Sequence, residues 1–274
     1  MHPRHPNATG SSEAEAPLEG WTKEALWSEV LQGPRRLTLR LTDTQVIERP
    51  DLLQVITPSL RAGGLNEVAF CDFEPGHADE EIDLALARFA QARVSFRWGV
   101  FPDCRPLNLA QRLTERGLVS HTVQALFRST EHSPPTPRAG LELTRVDERS
   151  LPEFSRVMAE GWGLDPEPLR AVHRASLTDE RTYLSLARVS GVGAGVATAV
   201  LSERAVLLLG AVVLPQFRRR GVYQALVSKR LLDARAVGRS LAVTHAMATT
   251  SAPILKALGF SEAFQFESFG PRYR

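Results

Sequence analysis

Val213-Leu214-Pro215-Gln216-Phe217-Arg218-Arg219-Arg220-Gly221-Val222-Tyr223 is the stretch that decides how this chain is read. An apolar run from Ala205 to Leu214 meets a proline, three consecutive arginines and a glycine; Leu226, Val227, Leu231 and Leu232 then recur at helical spacing. That succession predicts a strand, a cationic turn and a helix N-terminus. The first N–H groups of a helix have no partner within it, and the aligned peptide dipoles leave partial positive charge there. Arginines in the same turn add donors suited to phosphate oxygens, and the glycine lets a ligand approach the backbone. The segment reads as a receptor for a phosphate or pyrophosphate rather than as a basic solvated turn.

Two other phosphate loops are excluded. No Gly-x-x-x-x-Gly-Lys-Ser/Thr occurs, and Lys23, Lys229 and Lys256 are the only lysines. Gly191-Val192-Gly193-Ala194-Gly195 sits between two apolar runs with no helix after it, and reads as a hairpin turn.

At these residues the chain resembles the GNAT acyltransferase superfamily. The family signature, Arg/Gln-x-x-Gly-x-Gly/Ala after a strand ending Val-x-Pro, is met by Val213, Pro215, Arg218 and Gly221. Tyr223 stands where Gly or Ala is usual, a bulkier residue that leaves the loop N–H donors in place. Ile254-Leu255-Lys256-Ala257-Leu258-Gly259-Phe260 is similar to the helix ending in Leu-Gly-Phe that precedes the family's sixth strand. The resemblance covers about Gly140 to the C-terminus.

The bulk properties agree with an ordinary globular chain. Its 274 residues suit one large or two modest domains, and 43% hydrophobic residues supply an ordinary core. A net charge of +2 argues against a dedicated nucleic-acid partner, since the basic character is local to the arginine turn. Cys71 and Cys104 are too few for a disulfide framework and read as reduced, packed thiols in a cytoplasmic setting. No apolar run reaches membrane-spanning length, so no membrane partner is expected. Residues 1–20 lack the apolar core of a signal peptide and read as a disordered tail. His2 and His5 in that tail have no Cys or structured carboxylate beside them, and no metal is expected.

Ser129 to Gly140, polar with three prolines, marks a domain boundary. After it the pattern reads β-α-α-β-β-β-α-β-α-β. Ser150-Leu151-Pro152-Glu153 has the form of a capping box, and Asp165-Pro166 starts the second helix. The first half reads as a weak repeat of the second: Leu113-Thr114-Glu115-Arg116-Gly117-Leu118 echoes Leu255 to Phe260, and each is followed by a strand ending in phenylalanine, Phe127 or Phe269. At the same offset a helix from Asp79 to Arg93 corresponds to the helix after Gly221. Its entry loop, Asp72 to Glu81, carries carboxylates where the second half has arginines. Acids there are good caps but repel a pyrophosphate. The expected fold class is α/β, with two GNAT-like mixed-sheet domains in tandem and helices on both faces of each sheet. Residues 1–20 would be the tail, 21–130 a degenerate domain without a cofactor site, 131–140 a linker and 141–274 the acyltransferase domain. An unrelated α+β domain is the alternative for the first half.

The resemblance implies acyl transfer from acetyl-CoA, or another acyl-CoA, to a primary amine of a small molecule or peptide, with both substrates bound together. It implies a pyrophosphate held by the N–H groups of Arg219, Arg220, Gly221, Val222 and Tyr223 and by the Arg218 side chain. The pantetheine arm would align with Ala211, Val212 and Val213, and the N–H of Val212 or Val213 would stabilise the oxyanion. The family's general acid, a tyrosine, corresponds to about Leu255 here, and Ala205 to Leu214 contains none of the acid that often serves as base. A catalytic pair must come from elsewhere, or water must carry the proton. His245 follows the long helix on the next strand, although a lone histidine in an apolar strand is more often a hydrogen-bonded core residue. Thr249, Thr250 and Ser251 open the short helix as caps or as donors to a thiolate or pantetheine. Glu160, beside Trp162, would attract an ammonium group in the acceptor pocket, or simply end a helix; Glu267 is a further carboxylate. Two other readings remain open: a CoA-binding sensor or subunit without turnover, and an acyl-CoA decarboxylase on the same fold. The chain would be a monomer or a homodimer.

Overall fold

The computed structural model describes residues 18, 20–36, 40–62, 65–132 and 140–272. Most of the expected tail, His2 and His5, and linker residues 133–139 lie outside them. The first half runs α1 (Lys23–Arg36), β1 (Gln45–Arg49), β2 (Leu52–Ile56), β3 (Glu67–Cys71), α2 (Ala78–Ala92), β4 (Arg97–Val100), α3 (Leu109–Glu115) and β5 (Val119–Ser129). The second runs β6 (Leu141–Arg145), α4 (Leu151–Trp162), α5 (Pro166–Thr178), β7 (Thr182–Val189), β8 (Val192–Leu201) and β9 (Ala205–Val213). It ends with α6 (Val222–Ala236), β10 (Leu241–Met247), α7 (Ser251–Ala257) and β11 (Ser261–Gly270). This is the element order expected for the second half.

Local chemistry accounts for most boundaries. β7 and β8 are joined at Ser190 and Gly191, both with positive φ, which is the two-residue turn that a twisted hairpin requires. Asp165 caps α5 by accepting from the Glu167 N–H, and Pro166 occupies its first turn. The capping box at the start of α4 does not form. Asp147 accepts from the N–H and hydroxyl of Ser150, while Glu153 is drawn to Arg188 on β7, its Oε2 2.6 Å from Nη2. An arginine within reach outweighs a backbone N–H for that carboxylate.

The two halves share one sheet of eleven strands in the order β1-β2-β3-β4-β11-β5-β10-β9-β8-β7-β6. The last strand of each half is therefore placed with the other half. β11 lies between β4 and β5, and β5 between β11 and β10, all antiparallel. The central pair is close to two-fold symmetric, with Phe127 opposite Ser261 and Phe269 opposite Ser120. Corresponding elements follow in the same order, β3-α2-β4-α3-β5 and β9-α6-β10-α7-β11.

Apolar side chains fill both faces. α2 and α3 cover the first half with Ile82, Phe89, Leu109 and Leu113, packed with Trp98 and Phe269, which β11 brings from the second half. α6 and α7 cover the second half through Val227, Leu231, Leu255 and Leu258, packed with Leu126 of β5. α1 lies on the opposite face over β5, β9, β10 and β11, and α4 with α5 covers β7 to β9 on that side. Leu60 of the first half belongs to the α4–α5 cluster, so the halves meet there as well. Cys71 and Cys104 are buried free thiols in the first core. No helix among the described residues is long and apolar enough to cross a membrane.

Candidate active site

β9 and β10 are parallel neighbours for only three residues, ending at Leu207 opposite Val243. Beyond that pair β9 continues to Val213 and β10 to Met247 with no ladder between them. The result is a gap in the middle of a sheet, with strand backbone on both sides. Thr244 marks its floor, its hydroxyl donating to the Leu208 carbonyl at 2.8 Å.

β9 is irregular at the same height. Its ladder with β8 passes from Thr198–Leu209 to Val196–Val212, so Gly210 and Ala211 stand opposite Ala197 alone. Gly210 has φ +57°, a left-handed conformation that other residues adopt only with strain. Such a bulge leaves backbone groups unpaired and re-aims the strand. Val213, expected as an oxyanion donor, lies opposite Gly195 in the ladder that resumes past the bulge. Sequence reasoning did not single out Gly210. The available signal was a glycine within an apolar strand, which marks a bulge or a close approach.

β9 leads into the arginine turn. Pro215–Phe217 form one 3-10 turn; Arg219 and Gly221 have positive φ, at 61° and 81°. Gly221 starts α6 with no side-chain cap. The Arg218 Nε donates to the Val213 carbonyl at 3.3 Å, and the Arg220 guanidinium lies 5.7 Å from the Phe217 ring centroid. Arg218, Arg219 and Arg220 are exposed, and none forms an ion pair within the described residues. Strand edge, cationic turn and uncapped helix start thus follow one another. Tyr223 is half-buried against the α6–α7 core, and burial raises its hydroxyl pKa.

The corresponding first-half position is closed by the protein itself. Past the β3–β4 ladder, Arg105 N–H donates to the Cys71 carbonyl at 2.9 Å and Phe73 N–H to the Arg105 carbonyl at 3.3 Å. Asp79 in the first turn of α2 is bound by Arg112 and Arg116, while Glu81 is bound by Arg49. A cavity of about 530 Å³ remains there, lined by Asp72, Glu74, Arg105 and Arg112 among others. A larger cavity of about 770 Å³ lies at the other end of β9, between α1 and the β8–β9 hairpin, away from the arginine turn.

The proposed proton-transfer groups have different surroundings. His245 stands two residues past the last β9–β10 pair, on the face that carries α1. Its Nε2 lies 3.2 Å from the Val30 carbonyl, and its ring packs against Phe101 and Phe266. Since a carbonyl only accepts, Nε2 carries the hydrogen and Nδ1 keeps its lone pair. Burial, with the charges of Arg97 and Arg35, pushes its pKa down to about 4 against the Val30 hydrogen bond, so the ring is neutral at neutral pH.

Glu160 is exposed near the end of α4 and paired with Arg156 at 2.9 Å. Gly161 beside it lies against Val212, where a Cβ would stand 2.3 Å from a Val212 methyl. Only a glycine lets this end of α4 touch β9 near the bulge. Trp162 follows, 45% exposed. Thr249 and Thr250 are exposed in the turn after β10, and Ser251 is the first residue of α7. Thr250 makes no side-chain cap. Glu267 accepts from the Thr122 hydroxyl of β5 at 2.8 Å. Leu255, at the family's tyrosine position, is buried in the α6–α7 core.

No family model matches this sequence, and no curated protein matches it. Solved structures do match in shape. A GCN5-related N-acetyltransferase from Kribbella flavida has a TM-score of 0.65 at 17% identity, covering 91% of this chain and 95% of its own. A tandem GNAT protein from the clavulanic acid biosynthesis pathway has a TM-score of 0.57 at 13% identity, with 93% and 96% covered. A functionally unknown conserved protein from Staphylococcus epidermidis has a TM-score of 0.65 at 12% identity, with 85% and 96% covered. At these identities the likeness is one of fold: this chain has the tandem GNAT fold.

Proposed function

We propose that this tandem GNAT fold is an acyl-CoA-dependent N-acyltransferase with one cofactor site, in its second half. The observation that carries this reading is the interrupted β9–β10 ladder, which leads along one strand into a turn of three exposed arginines that form no ion pair among the described residues. An acyl-CoA has the matching shape: a doubly charged pyrophosphate, an extended amide-bearing arm and a thioester.

The Arg219–Tyr223 N–H groups and the Arg218 side chain fit the pyrophosphate. The open edge of β9 from Ala211 to Val213 fits the amides of the arm, as an unpaired strand edge does for any extended chain. The bulge at Gly210 and Ala211 fits the thioester oxygen better than the regular ladder at Val213 does, because the bulge has surplus backbone donors. Attack by the amine places charge on that oxygen, and fixed N–H donors lower the barrier by about 3–4 kcal/mol.

His245 is uncharged with Nδ1 unprotonated, the form that accepts a proton, and its lowered pKa makes it a weak base suited to an amine that is already neutral when it attacks. A water would complete the path from the amine to this partly enclosed ring. Glu160 and Trp162, brought near β9 by the Gly161–Val212 contact, fit a site for a cationic amine. The first half, closed by Arg105 and charged by its own ion pairs, serves as a structural partner through β5 and as one side of the acceptor region.

A second reading is favoured by one observation. Leu255 fills the family's proton-donor position with a buried apolar side chain, as expected of a CoA-binding sensor without turnover. Thiol release from acetyl-CoA across a panel of primary amines separates the two. Amine-dependent release supports the transferase. Tight CoA binding with no release under any amine rejects it in favour of the sensor.

A further inference from the structure

α6 carries a buried cation that the site described above leaves without a role. Arg230 is 2% exposed, on the side of the helix that faces β8 and β9. It meets no carboxylate among the described residues. Its Nε donates to the Leu226 carbonyl at 3.0 Å, and its Nη1 to the carbonyls of Thr198 at 3.1 Å and Leu209 at 3.4 Å. Burial pushes its pKa down to about 10, which leaves it charged at neutral pH. Packing alone does not account for this choice, because an apolar side chain of similar volume would fill the place without desolvating a charge.

What Arg230 binds is the edge of the bulge. Thr198 and Leu209 face each other in the last register pair before Gly210 and Ala211. The Leu209–Gly210 peptide is trans, so its C=O and N–H point in opposite directions. The Leu208 carbonyl faces β10, where it accepts from Thr244, so the next carbonyl along the strand, that of Leu209, is turned toward β8, and the Gly210 N–H is turned toward the β9–β10 gap. A cation on the carbonyl oxygen also polarises the peptide and strengthens that N–H as a donor.

We propose that Arg230 is a positioning residue for acyl transfer: its guanidinium, gripping Thr198 and Leu209 from beneath the sheet, holds the bulge so that the Gly210 N–H faces the thioester carbonyl. This rests on the acyl-transfer reading of the gap. Arg230 touches no substrate and acts only through the Leu209–Gly210 peptide.

The test uses the full chain, with Arg230→Met and Arg230→Lys variants and acetyl-CoA labelled with ¹³C at the carbonyl. Infrared spectroscopy reads polarisation of that carbonyl, calorimetry reads CoA affinity, and thiol release reads kcat. On the wild type the carbonyl stretch should fall in frequency on binding. In the variants the shift should be lost, wholly in Arg230→Met and largely in Arg230→Lys. Their kcat should fall by about 10²–10³-fold while CoA affinity stays within about threefold. A merely structural role would lower the folded fraction without removing the shift from the molecules that remain folded. If Arg230→Met does not fold, Arg230→Lys carries the same readouts, since a lysine cannot bridge both carbonyls in the same way. Retention of both shift and kcat by either folded variant overturns the inference. Absence of acetyl-CoA binding by the wild type instead overturns the acyl-transfer reading beneath it.

Discussion

Asp79, in the first turn of α2, is held at 3.0 Å by Arg116, the residue that follows α3, where the second half has an uncapped helix start and arginines that form no ion pair among the described residues. Arg112, one turn earlier within α3, grips the same carboxylate. The first half thus supplies its own anion at the helix N-terminus, and in the proposed function the corresponding place in the second half takes the pyrophosphate. Binding stoichiometry tests the contrast. Calorimetry should give one CoA per chain, and Asp79→Ala should leave both stoichiometry and affinity unchanged. Two sites per chain would show that the first half also binds.

The arginine turn should govern affinity more than rate. Arg218→Ala removes a charged donor worth about 1.5–3 kcal/mol, so acyl-CoA affinity should weaken by about 10–100-fold. At saturating acyl-CoA, kcat should stay near the wild-type value. The loss should shrink at high salt, because an exposed arginine is screened. Unchanged affinity would remove the pyrophosphate from this turn.

Gly161 sets how close α4 comes to β9. Its Cβ would stand 2.3 Å from a Val212 methyl, so Gly161→Ala must push the helix or the strand aside, at about 1–3 kcal/mol. The expected result is a fall in kcat/KM for the amine with CoA affinity retained. A variant with full activity would separate the end of α4 from the acceptor site.

Acid should destabilise the fold through two histidines. His173, with its Nδ1 2.8 Å from the Ser155 hydroxyl, is held at about 4 by burial, as is His245. The ordinary value is 6.5. Between 6.5 and 4 the unfolded chain takes up protons that the folded chain refuses. Stability is therefore full above about 6.5 and falls as pH drops, by up to ~1.4 kcal/mol per pH unit for each ring. Urea unfolding at pH 7 and pH 5 should show this loss. His173→Gln, which can still bond Ser155, should remove about half of the part due to these two rings. The same pH dependence in that variant would assign the loss to other groups.

The exchange of β5 and β11 makes the halves interdependent. Residues 141–274 alone leave β10 without the neighbour that covers it from Val123 to Ser129. Circular dichroism of that fragment should show a poorly folded or associating species, rescued by co-expression with residues 21–130. A stable monomeric fragment that binds CoA would contradict this dependence.

Much of this was legible in the sequence, for local reasons. The run from Val213 to Tyr223 contains its own strand end, turn and helix start, and Ser190-Gly191 its own hairpin turn. The element order of the second half followed from such signals. The destination of β5 and β11 did not, because each is an extended run ending near a phenylalanine, and which strand each will border is a long-range choice. Ser150 and Glu153 matched a capping box, but Asp147 and Arg188 bind them instead. Gly210 left a faint trace as a glycine in an apolar strand. Arg230 left none, since nothing around Leu226 and Leu231 shows that an arginine between them will be buried beneath a bulge.

The gap between β9 and β10 is the proposed acyl-CoA site. A crystal structure of the full chain with CoA tests it most directly. One CoA per chain is expected, with its pyrophosphate on the N–H groups of Arg219 to Tyr223 and its arm along Ala211 to Val213. CoA seated in the first half at Asp72 to Asp79, or no bound CoA at saturating concentration, would contradict it.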